Sequence, residues 1–506
     1  MFRFRRCLLT AAFLAATQAC GTTVPLAQQQ QQQQGSGLAP GAAQGLGSSL
    51  SSSSGQALSG AGGPVLSGSS AGPAASRGGS SGQNGTATGS GGGAASGGGG
   101  IPVKGFGWDA KHAYLGIPYQ DTSSTNTAAN GLGLKGLVGL DYQQASKAVL
   151  ADINKHGGLF GRSVEPVFAN FPPLPNQTGE SQCATWTQDN SVFSVVDSFY
   201  TADAEYACLA KAHVPFGNGI IAVMSDPVLN KYAPYAYKLH VTSTTKLEPT
   251  LVGRLRARGF FQGWDTLKGA PGAAAPVKVG LFCRTDDQSQ RDECAEMAAL
   301  LKKQGYDLAS TFSESGNSDN SSGAVLKFKA AGVTHVFCAT TDLLFFMLNA
   351  SNQAYYPRYA VTSLDAPFLL ASNAPAKELH GAMGVGFSPF NDVASPPPPT
   401  PTQKHCLKVL HDGGVDVPSA ASAQMLAQNI CDQIYVWVDA ARLGGGLDPA
   451  HVIAGLDHLK GVYTPGTVFA SGLSSTRRDE ASAVRDLDWN DPCACFRYAS
   501  PTNWPT

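Results

Sequence analysis

Ala151-Asp152-Ile153-Asn154-Lys155-His156-Gly157-Gly158-Leu159-Phe160-Gly161-Arg162 carries the strongest structural signal in the chain. It reads as a helix ending in Lys155 and His156, whose positive character suits the negative helix end, followed by a Gly-Gly cap and a turn into a new strand. A helix over Gly136 to Lys155 precedes it, and a strand over Ser163 to Phe168 follows. A strand at Ala113 to Ile117 lies upstream, which makes the unit β-α-β and implies a parallel sheet covered by helices.

Working outward, the same alternation continues. A helix over Ser181 to Gln188 leads to a strand at Ser191 to Val196, then a helix at Ala202 to Ala212 and apolar runs at Val214 to Phe216 and Ile220 to Val223. After Tyr235 to Val241 the pattern begins again. Helices are expected at Leu247 to Gly259, Arg291 to Gly305, Ser321 to Ala331 and Asp342 to Ser351. Strands are expected between them at Val277 to Cys283, Leu308 to Phe312, Val333 to Ala339 and Tyr359 to Thr362. Two α/β runs of similar length indicate two lobes. Beyond the proline run Pro396 to Pro399, helices are expected at Gln403 to Asp412, Ser419 to Leu443 and Pro449 to Leu459.

The N-terminal part has another character. Arg3, Arg5 and Arg6 precede an apolar run from Cys7 to Ala16, too short to span a bilayer as a helix, and then Thr17-Gln18-Ala19-Cys20. Ala19 before Cys20 resembles the bacterial lipobox, which makes Cys20 the expected lipidation site and membrane anchor. An ordinary signal peptide with a chance cysteine is the alternative. From Gly21 to Gly100 the chain is almost wholly Gly, Ser, Ala and Gln, with a glutamine run at Gln28 to Gln34. That composition cannot offset its own chain entropy, and a coil of this length spans about 50 Å. The expected organisation is therefore 1–20 signal peptide, 21–100 tether and 101–506 ectodomain, in the cell envelope outside the cytoplasm. Within the ectodomain, lobe 1 covers about 108–243 plus segments returning after 363, and lobe 2 about 244–362 plus C-terminal segments.

Composition excludes several classes. A formal net charge of −1 leaves no electrostatic footprint for nucleic acid. The 10 histidines are scattered, none at helical spacing beside a glutamate, so a zinc hydrolase has no support. No P-loop and no G-x-S-x-G elbow occurs, so no catalytic residue and no cofactor is expected, and an α/β hydrolase ranks last. Gly131-Leu132-Gly133-Leu134-Lys135-Gly136 fits G-x-G-x-x-G, but it lies too far from the end of the preceding strand for a dinucleotide turn and reads as a loop.

Of the 11 cysteines, 9 follow Cys20, and in an oxidising compartment most of these pair. Cys183 with Cys208, flanking a predicted strand, and Cys406 with Cys431, on successive predicted helices, are the favoured disulfides. Among Cys283, Cys294, Cys338, Cys493 and Cys495 at least one is left over. Cys338, inside an apolar run, is the best buried thiol. Cys493-Ala494-Cys495 also admits a metal or redox reading.

The decisive stretch resembles the passage from first helix to second strand in type I periplasmic solute-binding proteins, the Leu/Ile/Val-binding family serving ABC transporters, where Ile-Asn is followed by Gly-Gly and then Gly-Arg. The resemblance extends by order and spacing from about Ala113 to Val462, and Cys183 and Cys208 look like that family's early disulfide. It implies two doubly wound Rossmann-like lobes joined by a three-strand hinge, closing on a small ligand. The ligand loops it implies hold Asp121 and Thr122, Ser198 to Tyr200, Thr242 to Thr244, Arg284 to Asp286, Thr340 to Asp342 and Ser363 to Asp365. For an amino-acid or amide ligand, Ser198 and Thr242 are the carboxylate-side residues, Asp342 or Asp365 holds the ammonium, and Tyr200 forms a wall. The chain departs from the family pattern at Asp197-Ser198-Phe199-Tyr200 and at Gln288-Ser289-Gln290. The partners implied are a small-molecule ligand, an ABC transporter permease and the membrane. A ligand-sensing or envelope-interaction lipoprotein on the same fold is the alternative.

Overall fold

The structure, a computed structural model, describes residues 104–131, 133–170, 179–196, 203–219, 224–272, 276–285, 288–315, 320–339 and 343–506. Cys20, the tether, Ser198, Tyr200 and Asp342 lie outside the described residues.

The decisive stretch folds as its composition dictates. The helix Tyr142–Lys155 is capped by Asp141, whose carboxylate accepts from the Gln144 N–H, and it buries Ala145, Val149 and Ile153 on one face. It starts at Tyr142 rather than at the expected Gly136, because the cap is supplied by Asp141. The chain then turns through Gly157 and Gly158, both with positive φ, and Gly158 N–H donates to Ile153 O at 3.0 Å. A Cβ on Gly158 would lie 1.9 Å from the Arg162 carbonyl oxygen, so only glycine fits. The Asn154 side chain accepts from Val164 N–H at 2.7 Å and donates to Val164 O at 3.1 Å, fixing the helix against the next strand. Arg162 is buried and donates through Nε to Asp109 O at 2.7 Å.

The first sheet contains β1 (His112–Tyr119), β2 (Ser163–Asn170), β3 (Ser194–Val195), β4 (Phe216–Asn218) and β5 (Ala236–Lys238). Its order is β2-β1-β3-β4-β5, with every pair parallel. One face packs on helices including Tyr142–Lys155 and Ala421–Gly444. Trp186, Tyr206 and their neighbours cover the other.

A two-stranded hairpin, β6 (Trp264–Asp265) with β7 (Ala270–Pro271), precedes the second sheet. That sheet holds β8 (Val279–Arg284), β9 (Leu308–Glu314), β10 (His335–Ala339), β11 (Arg358–Thr362), β12 (Met383–Gly386), β13 (Ala483–Asn490), β14 (Cys495–Tyr498) and β15 (Trp504–Pro505). Its order is β14-β13-β12-β11-β10-β8-β9, with β15 on β13. β8 to β12 run parallel, whereas β13 is antiparallel to β12, β14 and β15. All six residues of β8 are buried, as a strand covered on both faces requires.

The chain passes between the lobes three times. Residues 239–243 lead from β5 to the helix Thr244–Ala257, whose Leu247, Leu251 and Leu255 join the second lobe's core. The chain stays in the second sheet through β12 and returns with the helix Pro401–Asp412, whose Cys406, Val409 and Leu410 join the first core. It crosses again after the helix Pro449–Leu456 to enter β13. Cys183–Cys208 and Cys406–Cys431 are bonded, as are Cys283–Cys294 and Cys493–Cys495. Cys338 stands outside these disulfides and is half-buried rather than enclosed. The CAC cysteines are bonded to each other, which removes the thiolates a metal would need.

Candidate functional site: the hinge and the cleft ends of the strands

In open α/β sheets ligands meet the carboxyl ends of parallel strands, so the site is built from the residues that end them and the crossovers beside them. On the first lobe, Asp121 closes β1 by accepting from Ser123 N–H at 3.2 Å and from its hydroxyl at 2.5 Å. Thr122 donates to Leu140 O at 2.9 Å. At the end of β5 the buried Lys238 donates from Nζ to Asn218 Oδ1 at 2.8 Å and to Gly219 O.

On the second lobe, the end of β8 carries Arg284, buried and paired with Glu314 at the end of β9 at 3.4 Å. The end of β11 carries Asp365, whose Oδ2 accepts from Thr362 N–H at 2.7 Å and from its hydroxyl at 3.1 Å. The other oxygen, Oδ1, is buried without a hydrogen-bond partner. Burial pushes this carboxyl up to about 7. Ser363 Oγ accepts from the N–H groups of Phe387 and Ser388, and Asn391 donates to Ser363 O, so the second crossover is seated on the same strand end. Behind β10 and β11 lies a cavity with about 20 Å³ of water-accessible space, lined in part by Glu248, Glu293, Cys338 and Thr362. That is room for about one water. Burial first, then the charges of Glu293 and Glu296, pushes Glu248 well above its ordinary value.

Thr242 sits in the first crossover, 1 % exposed, and its hydroxyl donates to Asp479 Oδ2 at 3.0 Å. The same oxygen accepts from Ser243 N–H at 3.1 Å, and Lys246 Nζ lies 3.0 Å from Oδ1. One residue on, Glu480 Oε2 accepts from His240 N–H at 2.7 Å. The Thr467 hydroxyl donates to Asp432 Oδ2 at 2.8 Å, so His240 Nδ1, 2.9 Å from the Thr467 oxygen, must be the donor there. Nδ1 thus carries a proton, and burial first, then the charge of Lys238, pushes the imidazolium down to about 3, which leaves the ring neutral near pH 7. The Tyr463 hydroxyl faces the carboxyls of Asp432 and Glu480, which burial pushes up to about 7 and about 8. The first crossover, the third crossover and the helix Ala421–Gly444 thus meet in one buried polar cluster.

Of the residues singled out by sequence, the structure brings Thr242 to the hinge and Asp365 to a strand end. It does not bring those two side chains into contact through any hydrogen bond or ion pair described. Asp432, Asp479 and Glu480 escaped the sequence reading. Arg477-Arg478-Asp479-Glu480 looks like a solvated charge run, yet Asp479 and Glu480 are 0 % exposed, and nothing local signals that burial. Among the described residues no group of three or more His, Cys, Asp or Glu is placed to hold a metal ion.

The sequence pattern of the family described as periplasmic binding protein matches residues 131–487, well over half the chain. The chain belongs to the periplasmic binding protein family. Its fold is the type I periplasmic binding fold, shared with solved structures of low sequence identity. A branched-chain amino acid ABC transporter protein from Thermus thermophilus with bound valine aligns with a TM-score of 0.54 at 13 % identity, over 78 % of this chain and 96 % of that one. A solute-binding protein from R. palustris in complex with 4-hydroxybenzoate gives 0.54 at 14 % identity, over 78 % and 97 %. An ABC transporter substrate-binding protein from Desulfitobacterium hafniense in complex with Leu gives 0.51 at 16 % identity, over 77 % and 100 %. No curated protein matches the sequence. The cluster joining His240, Asp432, Thr467, Asp479 and Glu480 lies where the first and third crossovers meet, and Arg284 and Asp365 stand at the carboxyl ends of second-lobe strands.

Proposed function

We propose that this chain is an extracytoplasmic solute-binding protein of an ABC transporter, which captures a small polar ligand, an amino acid or amide, between its lobes and delivers it to a membrane permease. The observation that carries the reading is Asp365. It stands at the carboxyl end of a parallel strand, with one carboxylate oxygen spent on its own turn and the other buried without a partner. A ligand ammonium or amide N–H supplies the missing donor, and a charge-assisted bond there favours the closed lobes by its differential affinity. The relatives of the same fold were solved with leucine, valine and 4-hydroxybenzoate, each carrying a carboxylate, which fits an anion-accepting first lobe. We assign the carboxylate side to Ser198 and the cleft wall to Tyr200, with Asp342 the alternative to Asp365 on the ammonium side. Thr242 acts through the hinge, since its proton goes to Asp479. The lipid on Cys20 and the segment after it keep the ectodomain near its permease by raising effective concentration. No chemistry on the ligand is part of this role.

Thermal-shift screening of the ectodomain against amino acids, amides and aromatic carboxylates tests the reading. A saturable rise in melting temperature for one class is expected. No rise across the panel overturns ligand capture. A ligand that binds without any permease able to import it turns the reading toward a sensor on the same fold.

A further inference from the structure

The four disulfides are not equivalent. Cys183–Cys208 and Cys406–Cys431 each span 25 residues and Cys283–Cys294 spans 11, whereas Cys493–Cys495 spans 2. The stabilisation a disulfide gives by constraining the unfolded chain grows with the loop it closes, so the last bond contributes least. Each of the first three includes a cysteine that is 1 % exposed or less. In the fourth both cysteines are only half-buried, and Asp491, Pro492 and Ala494 around them are exposed. Cys208 and Cys294 are half-buried as well, but only in this bond are both cysteines half-buried, so an attacking thiolate can meet either sulfur, and the bond combines that access with the shortest loop.

The turn that carries it holds its shape by other means. β13 and β14 pair through Leu487 with Tyr498, Trp489 with Phe496 and Asn490 with Cys495. The Trp489 and Phe496 rings meet edge to face at 5.3 Å. The Asn490 side chain accepts from Cys493 N–H at 3.3 Å, and Trp489 Nε1 donates to Asp491 at 2.8 Å. Ala494, between the two cysteines, is held at φ 48°, a conformation that costs a residue with a Cβ and that opening the bond would let relax. The carbonyl oxygens of Asn490 and Cys495 lie 3.4 and 3.7 Å from Cys493 Sγ, so a thiol formed there has acceptors at hand.

We propose that Cys493–Cys495 is a redox-active disulfide that exchanges with external dithiols while both lobes stay folded. A thiolate of the dithiol attacks one Sγ, forming a mixed disulfide and breaking the Cys493–Cys495 bond. The electron pair passes to the other Sγ, which takes a proton. The second thiol of the dithiol then closes its own disulfide and releases the remaining cysteine as a thiol. In total, two electrons and two protons pass from the dithiol to the cysteine pair. The structural staple it replaces is dispensable because the ladder and the Asn490 cap already hold the turn.

The test is a titration of the folded protein, without denaturant, across ratios of reduced to oxidised dithiothreitol, quenched with N-ethylmaleimide and mapped by peptide mass. Cys338, outside every disulfide, is expected to label to the same extent at every ratio and serves as the internal control. Cys493 and Cys495 are expected to label together at a ratio about tenfold lower than any other pair, with the melting temperature shifted by only a few degrees. C493S is expected to remove that first step and leave the later ones in place. Opening of another disulfide before or together with Cys493–Cys495, or loss of the melting transition as it opens, overturns the proposal.

Discussion

The Thr242 hydroxyl donates to Asp479 Oδ2 at 3.0 Å, and this bond joins the first crossover between the lobes to the third. Asp479 is 0 % exposed and also meets Ser243 N–H, Lys246 and Arg477. Removing one partner of a buried charge network strands the others, so D479A is expected to lower unfolding stability by about 3 kcal/mol. T242V deletes a single hydrogen bond and leaves Asp479 its remaining donors, so about 1 kcal/mol is expected. Urea unfolding of the two variants checks the order.

Buried carboxyls give the fold an unusual response to pH. Burial raises Glu248 well above its ordinary value, Asp365, Asp392 and Asp432 to about 7, and Glu378 and Glu480 to about 8. In the unfolded chain the same groups ionise near 4. Between those limits the folded state holds more protons, so their stability contribution is full below about pH 4 and is lost as pH rises through 7 to 8. His240 and His335, lowered to about 3 and about 4, act in the opposite sense below their unfolded value, but they are outnumbered. The melting temperature is therefore expected to fall from pH 5.5 to 8. E480Q, which keeps an acceptor for His240 N–H and cannot ionise, is expected to lessen that fall. A wild-type melting temperature that rises over this range contradicts the assignment.

Much of this architecture is legible in the sequence, for identifiable reasons. Asn154 and Gly158 act on near neighbours, so a short stretch reports the turn, although Arg162 within it reaches back to Asp109. The all-buried β8 announces a parallel sheet through its composition. The strands β12 to β15 carry no such mark. Met383–Gly386 is short and glycine-rich, and Ala483–Asn490 alternates poorly because β13 is exposed to different layers along its length. Likewise, Asp479 and Glu480 look solvated because their burial depends on a crossover more than two hundred residues away. Local pattern shows which segments form layers, whereas the hinge is made by contacts of long sequence separation.

Asp365 carries the proposed ligand contact. D365N keeps an oxygen able to accept from Thr362 N–H, so the turn is expected to survive. It removes the negative charge offered to a ligand cation, and affinity for an amino-acid ligand is expected to fall at least about tenfold, the scale of one charge-assisted hydrogen bond. Calorimetric titration with the ligand found by screening measures this, and unchanged affinity would assign the ammonium to another residue.

Lys135 and Asn373 lie on different lobes and bond reciprocally. Lys135 N–H donates to Asn373 Oδ1 at 2.7 Å, and Asn373 Nδ2 donates to Lys135 O at 3.0 Å. The other side of the same segment is seated on the first lobe, where Ser422 Oγ accepts from Val138 N–H at 2.8 Å and donates to Gly136 O at 2.9 Å. Leu134 packs against the second lobe's core. The glycine-rich segment thus bridges the lobes, a use unrelated to phosphate binding. N373A removes both interlobe bonds and leaves the Ser422 seat intact. Amide hydrogen exchange is expected to quicken at Lys135 while Val138 keeps its protection. Equal quickening at both amides would show that the segment opens as one piece and that the Ser422 contact does not hold it by itself.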